Sequence, residues 1–555
     1  MNKKRILFCN EASFLNTGYS VYGREVISRL FNTGKYEIAE LAIYAPAQDA
    51  RLQNIPWKAY PNHPNVAIEE EVNHFNSSVT NAFGEWRFEE VCLDFQPDIV
   101  VDIRDYWMME FVERSPMRRM FHWAIMPTVD AAPQNEQWLA TFSGADSVFA
   151  YSEFGRDVLE KETGGDINSV EITPPAAADC FKPVPDKSEH KNKMGMDTDC
   201  IIVGTVMRNQ RRKLYPDLFA TFKKLLEETG KTNLFLYCHT SYPDIGWDLP
   251  RLLNEHGLTH KVLFTYGCSK CESVYPSFFE DAVTVCPSCK NLSSKPSSVH
   301  SNIPDNVLAS IYNTFDVYVQ YANSEGFGMP QVEAAACGVP VMSVDYSAMS
   351  SVVRNIGGTP IKVKALYKEM ETGCMRAIPD NDHLLEELKN FVNKPAAMRM
   401  RDGNVARSEC ESNYNWDATA SKWEKLFDSV DVKPRNETWE SNPRIMNPPS
   451  EVPAYLGNVE YVDWLFVNVL GQPEKIGSYM YSRILQDLKN CMYVDGMGGF
   501  YCNEDSWSQV RPDWKKFDKE TAYHKIVEIV EKHNYWEKVR CGVISTERPR
   551  WMQGE

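Results

Sequence analysis

The sequence lacks any uninterrupted apolar run near the roughly 20 residues that a membrane-spanning helix requires. It also lacks an excess of basic residues, because 59 Lys and Arg stand against 76 Asp and Glu, for a formal net charge of −17. Such acidity opposes nonspecific attraction to phosphate backbones and anionic membranes. We therefore expect no stable membrane insertion, and any contact with nucleic acid would need a local basic patch.

The opening residues, MNKKRILFCNEASF, hold too short an apolar stretch for a secretory signal. Most of the 15 cysteines stand singly in apolar surroundings, as reduced and buried thiols do. Both observations predict a cytoplasmic protein. The sequence does not indicate an oligomeric state.

The 555 residues exceed what one hydrophobic core usually holds. Short β-branched runs alternate with amphipathic stretches, which is typical of parallel strands joined by helices. The predicted fold class is therefore α/β, with two doubly wound domains in tandem and a ligand groove at the carboxyl ends of their strands. The main predicted strands are residues 6–9, 38–44, 99–101, 122–125, 148–151, 201–206, 234–237, 262–265, 317–320 and 339–344.

A proline-rich and charged stretch, residues 174–200, is interpreted as an interdomain linker. It separates a predicted domain at 1–185 from a second at 186–430. From about residue 431 the alternation stops, and helical patterns rich in Trp and Tyr follow. Residues 431–555 are therefore predicted to form an α-rich C-terminal extension.

The stretch NSEGFGMPQVEAAACGVP, residues 323–340, predicts a glycine-rich turn and a helix from Pro330 that ends before Gly338. The amides at the start of this helix could hold an anion. Glu325 and Glu333 flank that position, and their carboxylates can accept hydrogen bonds from vicinal hydroxyls. The arrangement suits a nucleotide sugar. The alternative is a tight strand-to-helix turn whose glutamate only complements the helix dipole.

A second polar loop, MRNQRRKLYPDLF, follows the predicted strand 201–206 and places Arg208 five residues before Lys213. An arginine and a lysine offer a planar fork and a point charge, the two donor types that stabilise a leaving diphosphate. The alternative is an ordinary solvated basic loop.

Together these residues resemble the retaining glycosyltransferases of the two-Rossmann-domain (GT-B) architecture, the large family that includes sucrose and glycogen synthases and bacterial mannosyltransferases. The resemblance covers about residues 4–428. It includes the Glu-x7-Glu signature at Glu325 and Glu333, the basic pair Arg208 and Lys213, and the first-strand loop around Gly18.

The resemblance implies that a sugar moves from a nucleotide-diphosphate sugar to a hydroxyl acceptor, with retention and without a catalytic divalent metal. Residues 1–185 would then be the acceptor-side domain and residues 186–430 the nucleotide-sugar donor domain. The implied catalytic residues are Arg208, Lys213 and Glu325, and the implied donor-binding residues are Gly18, Gly328, Met329 and Glu333.

The acceptor side departs from the family pattern. Where the family often has a histidine, the stretch VDIRDYW offers Asp102, Arg104 and Asp105. Asp130, in PTVDAAP, is the acceptor-side candidate, and its alternative role is a turn cap. The acceptor could be a glycan, a protein or a modified DNA base.

Four cysteines are clustered: Cys268, Cys271, Cys286 and Cys289 form two CxxC knuckles. Thiolates at this spacing can close tetrahedrally on zinc, and four cysteine ligands leave no open position for catalysis. We therefore predict a structural zinc in a zinc-ribbon-like insertion at residues 266–300, within the donor domain. The alternative is redox-active or free thiols.

Two functions from different classes fit these features. The first is a nucleotide-sugar-dependent glycosyltransferase, transferring a hexose or a pentose. The second is a protein of the same fold that has lost catalysis and binds nucleic acid or protein through the zinc ribbon. The intact Arg208, Lys213, Glu325 and Glu333 favour the enzyme.

Overall fold

The computed structural model describes residues 3–115, 117–280, 282–298, 301 and 303–432, with the short stretches 439, 463, 467, 476–477, 492–494, 500–502 and 515–517. Within these residues, no helix combines the length and the apolar character needed to cross a membrane.

The first sheet of the described chain has seven strands, ordered β3-β2-β1-β4-β5-β6-β7, and every neighbouring pair is parallel. Strand β1, third in this order, is buried along most of its length, with Leu7 opposite Ala39 on one side and Val100 on the other. The strands are β1 (Arg5–Glu11), β2 (Glu37–Ile43), β3 (Lys58–Pro61), β4 (Ile99–Asp102), β5 (His122–Ile125), β6 (Ser147–Ala150) and β7 (Glu171–Ile172). The helices around it are α1 (Gly18–Asn32), α2 (Glu69–Asn76), α3 (Glu85–Phe95), α4 (Tyr106–Arg114), α5 (Glu136–Ser143) and α6 (Glu153–Glu162), with 3-10 turns at Ala50–Asn54, Val79–Phe83 and Arg118–Met120.

The second sheet has a parallel centre, β10-β9-β8-β14-β15-β16, extended at one edge by antiparallel strands. The strands are β8 (Ile201–Val206), β9 (Leu234–His239), β10 (Val262–Cys268), β11 (Val274–Phe278), β12 (Thr284–Val285), β13 (Leu292–Pro296), β14 (Val317–Gln320), β15 (Val341–Val344) and β16 (Thr359–Ile361), followed by a hairpin of β17 (Val363–Lys368) and β18 (Met375–Pro379). The helices are α7 (Lys187–Lys193), α8 (Tyr215–Thr229), α9 (Leu249–His256), α10 (Asp305–Tyr312), α11 (Met329–Ala336), α12 (Ser347–Asn355), α13 (Asn381–Asn393), α14 (Ala396–Asn413) and α15 (Trp416–Ser429).

The predicted α/β class with two tandem doubly wound sheets is confirmed. The stretch interpreted as a linker is more ordered than its composition indicates, because α7 lies within it. Lys191 of this helix is 3% exposed, and its ammonium contacts Asp316 at 2.6 Å and the carbonyl oxygen of Cys200 at 2.7 Å. These partners attach the stretch to the second sheet.

The last helix of the range 186–430 returns to the first sheet. Trp423 of α15 is fully buried, stacks on Phe149 with ring centroids 4.1 Å apart, and donates its indole N–H to the Tyr22 hydroxyl at 2.9 Å. Part of the first sheet is thus covered by α15, which follows the second sheet in sequence.

Most of the predicted C-terminal extension, residues 431–555, lies outside the described residues. The described parts include three short antiparallel strands that sequence patterns did not predict. They are β19 (Met492–Val494), β20 (Phe500–Cys502) and β21 (Lys515–Phe517).

Candidate active site

Loops from the two domains meet at the carboxyl ends of their parallel strands. A Cβ placed on Gly326 would lie 2.5 Å from Cγ2 of Thr128, and one on Gly18 would lie 4.0 Å from the sulfur of Met329. Gly18 is the first residue of α1, whose N-cap is Thr17. The start of α1 and the start of α11 therefore lie against each other where the two domains meet.

The predicted helix after the glycine-rich turn is confirmed. α11 begins at Met329 with a proline in its first turn, and Gly328 before it has φ +87°, in the left-handed region. The helix ends at Ala336, and Gly338 has φ +69°. The turn thus places the start of α11 beside Gly18 of the first domain.

Glu325 is held by three polar side chains. Its carboxylate contacts the Lys213 ammonium and the Arg212 guanidinium, and it accepts a hydrogen bond from Gln320 Nε2 at 2.8 Å. Its backbone N–H donates to the Ser347 hydroxyl at 3.0 Å. Both Lys213 and Glu325 have side chains only 8% exposed. Burial lowers the pKa of Lys213 well below its usual value, and the neighbouring Arg212 adds to this.

Arg208 lies apart from this cluster. Its side chain is 52% exposed and forms a two-point ion pair with Asp244, with Nε to Oδ2 at 2.9 Å and Nη2 to Oδ1 at 3.0 Å. Of the basic pair expected from the sequence, the structure places only Lys213 against Glu325, and Arg212 takes the second position. Sequence reasoning missed Arg212 because three arginines in this loop have equivalent surroundings in the sequence.

Glu333 lies in α11 and accepts a hydrogen bond from the Tyr312 hydroxyl at 2.7 Å. Burial, with a smaller contribution from Asp305, raises the pKa of Glu333 to about 7 against the opposing effect of the Tyr312 hydrogen bond. At neutral pH this carboxyl is therefore poised between its protonated and ionised forms.

The first domain contributes several polar residues to the place where the two domains meet. Tyr19 and Thr128 share a hydroxyl–hydroxyl hydrogen bond of 2.6 Å. Burial raises the pKa of Asp105 to about 6, while hydrogen bonds from Tyr19 and Thr128 oppose the rise. Asp102 and Arg104 instead form a fully buried ion pair. Of the three charged residues in VDIRDYW, Asp105 is the one that lies beside the Tyr19 and Thr128 hydroxyls.

Asp130 joins the two domains. Its carboxylate accepts hydrogen bonds from Arg376 at 2.7 Å and from the Ser324 hydroxyl at 3.2 Å. Arg376 belongs to β18 and also pairs with Glu369 at 2.9 Å. The acceptor-side candidate Asp130 therefore lies beside Ser324, the residue before Glu325. Its carboxylate binds side chains of the second domain.

The four clustered cysteines converge. Their sulfur atoms all lie within 4.8 Å of one another, close enough to share one metal ion. A hydrogen bond with Ser293 lowers the pKa of the Cys268 thiol to about 7, and one with Ser273 lowers that of Cys286 to about 5. Thiolate character is what a metal ion requires of a cysteine ligand. The members are Cys268, Cys271, Cys286 and Cys289.

Comparison with known proteins adds a family match to this geometry. The model of the family described as Glycosyl transferases group 1 matches residues 292–397. A D-inositol 3-phosphate glycosyltransferase from Rhodococcus erythropolis is 28% identical over 135 residues, which are 24% of this chain and 27% of that protein. Its counterpart from Rhodococcus opacus is 23% identical over 277 residues, 50% of this chain and 51% of that protein. The chain spans about half or less of these curated relatives.

Solved structures match over a larger share of the chain. Sucrose-phosphate synthase from Thermosynechococcus elongatus superposes with a TM-score of 0.55 at 16% identity, over 77% of this chain and 98% of that one. Anabaena Alr3699/HepE in complex with UDP and glucose gives a TM-score of 0.54 at 12% identity, over 77% and 100%. At such identities the likeness shows the fold.

Proposed function

We propose that the protein is a retaining glycosyltransferase that moves a sugar from a nucleotide-diphosphate sugar to a hydroxyl acceptor. The observation that carries this proposal is the convergence of Lys213 and Glu325 beside the start of α11, where the two domains meet. Cations, helix amides and a carboxylate close together are what a sugar diphosphate requires.

In this proposal the donor diphosphate lies against Lys213 and the first amides of α11, at Gly328 and Met329. Arg208 contributes from the rim, because its pair with Asp244 uses Nε and Nη2 and does not involve Nη1. Gly18 lets the first-domain loop approach the diphosphate. As the bond to the sugar breaks, these donors stabilise the negative charge of the leaving group, and each such contact is worth about 3 kcal/mol.

The two glutamates bind hydroxyl groups of the donor. Ionised Glu333 accepts hydrogen bonds from the ribose, and Glu325 contacts the transferred sugar. Glu325 is fully occupied by Lys213, Arg212 and Gln320, so donor binding replaces part of this network. The acceptor hydroxyl then attacks from the side that the nucleotide leaves, which gives retention, and no catalytic divalent metal is expected.

The acceptor would lie against the first-domain wall, near Asp105 and Asp130. The family match disfavours the alternative of an inactive module that binds nucleic acid or protein. Glycans, proteins and modified DNA bases are the acceptor classes to test, in a protein that we expect to be cytoplasmic.

Replacing Glu325 tests the proposed activity. Wild-type protein is expected to transfer sugar from one member of a nucleotide-sugar panel to water or to an added acceptor. Glu325→Ala is expected to lower this rate by about 100-fold or more, because the sugar loses a contact made in the transition state. Product release is measured by chromatography, and NMR of the anomeric proton reports retention.

Glu325→Gln serves as a second variant, since it keeps the side-chain volume if Glu325→Ala fails to fold. A wild-type protein that binds no member of the panel, or equal turnover in wild type and both variants, would contradict the proposal.

We further propose that the four clustered cysteines hold one structural zinc ion. Four thiolates favour Zn²⁺ over harder cations, and they would supply folding energy to the insertion without an open position for catalysis. The prediction is about one zinc per chain by elemental analysis, with the content of the double variant Cys271→Ser, Cys286→Ser close to zero.

Cys200→Ser is the control, because Cys200 is buried like Cys286 but lies outside the cluster. It is expected to keep its zinc. If thiol titration of the native, metal-loaded protein detected all four clustered cysteines as free thiols, this assignment would be contradicted.

A further inference from the structure

The loop that carries Arg208, Arg212 and Lys213, residues 207–214, is called the basic loop here. The loop after β9, residues 240–247, lies against it and is called the β9 loop. Its Asp244 forms the two-point ion pair with Arg208, and the Asp244 side chain is only 2% exposed. The same carboxylate accepts a hydrogen bond from the Ser241 hydroxyl and one from the Ile245 N–H at 2.8 Å. Asp244 is thereby fixed by its own loop, and it fixes the direction of the Arg208 fork.

Contacts along the rest of the β9 loop hold the backbone of the basic loop. Asn209 is fully buried and exchanges two hydrogen bonds of 2.8 Å with the backbone of Trp247. A Cβ on Gly246 would lie 2.3 Å from Asn209 Oδ1, so glycine is required for this approach. The Trp247 indole donates to the carbonyl oxygen of Lys213 at 2.7 Å. The basic loop is thus held near both of its ends.

The other side of the β9 loop packs on the cysteine-bearing insertion. The Tyr242 N–H donates to the carbonyl oxygen of Ser297 at 3.0 Å, just after β13. The Tyr242 ring also meets the Phe279 ring edge to face, with centroids 5.2 Å apart, and Phe279 in turn contacts Phe264 of β10. The β9 loop therefore lies between the insertion and the basic loop.

The base of the insertion pairs with β10 through β11 and β13, whereas its outer part has little support. Its outer strand β12 has two residues, and the apolar side chains of Val285 and Leu292, which are paired across β12 and β13, are 58% and 69% exposed. A small excursion with exposed apolar residues lacks a core of its own, and metal ligation commonly supplies the missing stability.

Phe279 follows β11, which pairs with β10, and the Ser297 N–H donates to the carbonyl oxygen of Thr265 in β10 at 2.9 Å. The cysteine cluster joins Cys268, the last residue of β10, to Cys286 and Cys289 just before β13. A metal ion there would therefore fix the path of β13 and of the residues that follow it, up to Ser297.

We infer that the cysteine-bearing insertion, when its four sulfurs hold a metal ion, fixes the β9 loop and thereby positions Arg208 for the donor diphosphate. Asp244 is a positioning residue in this arrangement. The inference rests on the proposed function and deepens it, because it couples metal loading to donor affinity. By linkage, a bound diphosphate also strengthens metal retention by the same factor.

The test measures binding of UDP and GDP by calorimetry to the full chain, metal-loaded and metal-free, with metal content determined for each sample. Metal removal is expected to weaken binding of the preferred diphosphate by about 10-fold, within the range of ordinary coupling between sites. In Arg208→Gln the same removal is expected to change affinity by at most about twofold, because the coupled side chain is absent. An equal metal dependence in wild type and Arg208→Gln overturns the inference.

Tyr242→Ala tests the same coupling while it leaves the four cysteines intact. It removes the ring contact with Phe279, so it is expected to keep its metal and still bind the diphosphate about 5- to 10-fold more weakly. Leu292→Ser, on the exposed side of the insertion, is the control and is expected to match wild type. Full diphosphate affinity in metal-loaded Tyr242→Ala overturns the inference.

These outcomes separate this inference from the proposed function. If metal-loaded wild type binds neither UDP nor GDP, the proposed function fails and the inference fails with it. If binding is tight but independent of metal, only the inference fails.

Discussion

Glu333→Gln is expected to stabilise the unliganded protein at pH 8 while weakening donor binding. Burial holds the pKa of Glu333 at about 7, above the ordinary value of 4.5. The folded state therefore binds more protons than the unfolded state between these pH values, and stability falls as pH rises through this window. Ionisation by pH 8 costs up to about 3 kcal/mol, and a neutral glutamine avoids that cost.

The measurement is chemical denaturation of wild type and Glu333→Gln between pH 5 and 8. The stability difference should grow steadily with pH and be small near pH 5. Glu386→Gln, at an exposed position in α13, is the control for loss of a carboxylate. A difference that stays constant with pH would show that the burial of Glu333 does not perturb its ionisation.

The same substitution tests the role of Glu333 toward the donor. Charged hydrogen bonds are worth about 1.5–3 kcal/mol each, so replacing a carboxylate that accepts from ribose hydroxyls should weaken nucleotide-sugar binding by about 10- to 100-fold. Donor affinity of wild type should also fall as pH drops below 7, because the protonated carboxyl loses its charge. Glu333→Gln should lack this pH dependence.

Lys213→Met is expected to lower the turnover of nucleotide sugar by about 100- to 1,000-fold, as loss of one oxyanion donor does. The Lys213 side chain is almost fully enclosed, and methionine fills a similar volume without the charge. The effect should lie in kcat, since the ammonium stabilises charge that develops as the diphosphate leaves. Steady-state kinetics with the donor identified from the panel provide the measurement.

Stability must be separated from chemistry in this variant, because Lys213→Met leaves Glu325 with only one cationic partner, Arg212. The double variant Lys213→Met, Glu325→Gln removes both charges of the buried pair and should recover stability without recovering activity. Lys224→Met, on the exposed face of α8, is expected to behave as wild type. Activity that returns together with stability in the double variant would assign Lys213 a structural role only.

Much of the fold is predictable because its signals are local. The strands β1, β5, β8 and β14 are short apolar runs bounded by polar residues, and their predicted positions agree with the structure within two residues. The bounds of α11 follow from Pro330 near its start and Gly338 after its end, since each residue has a strong backbone preference. Such preferences need no knowledge of the tertiary fold.

The site is less predictable because side-chain direction depends on distant partners. Arg208 turns to Asp244, 36 residues away, while Arg212 reaches Glu325 across 113 residues. Neither choice has a signal in the loop sequence. The hairpin β17–β18 was also missed, and it carries Arg376 to Asp130 across 246 residues. The composition of residues 174–200 likewise did not indicate α7, because burial of Lys191 becomes favourable only beside Asp316.

The crossing of α15 onto the first sheet makes that folding unit discontinuous in sequence. Residues 1–185 expressed alone would expose Phe149, Tyr22 and the rest of the surface that Trp423 covers. A fragment intended to fold independently should therefore append residues 416–429 through a designed connection. A truncation that removes α15 would therefore destabilise the first sheet more than the second sheet.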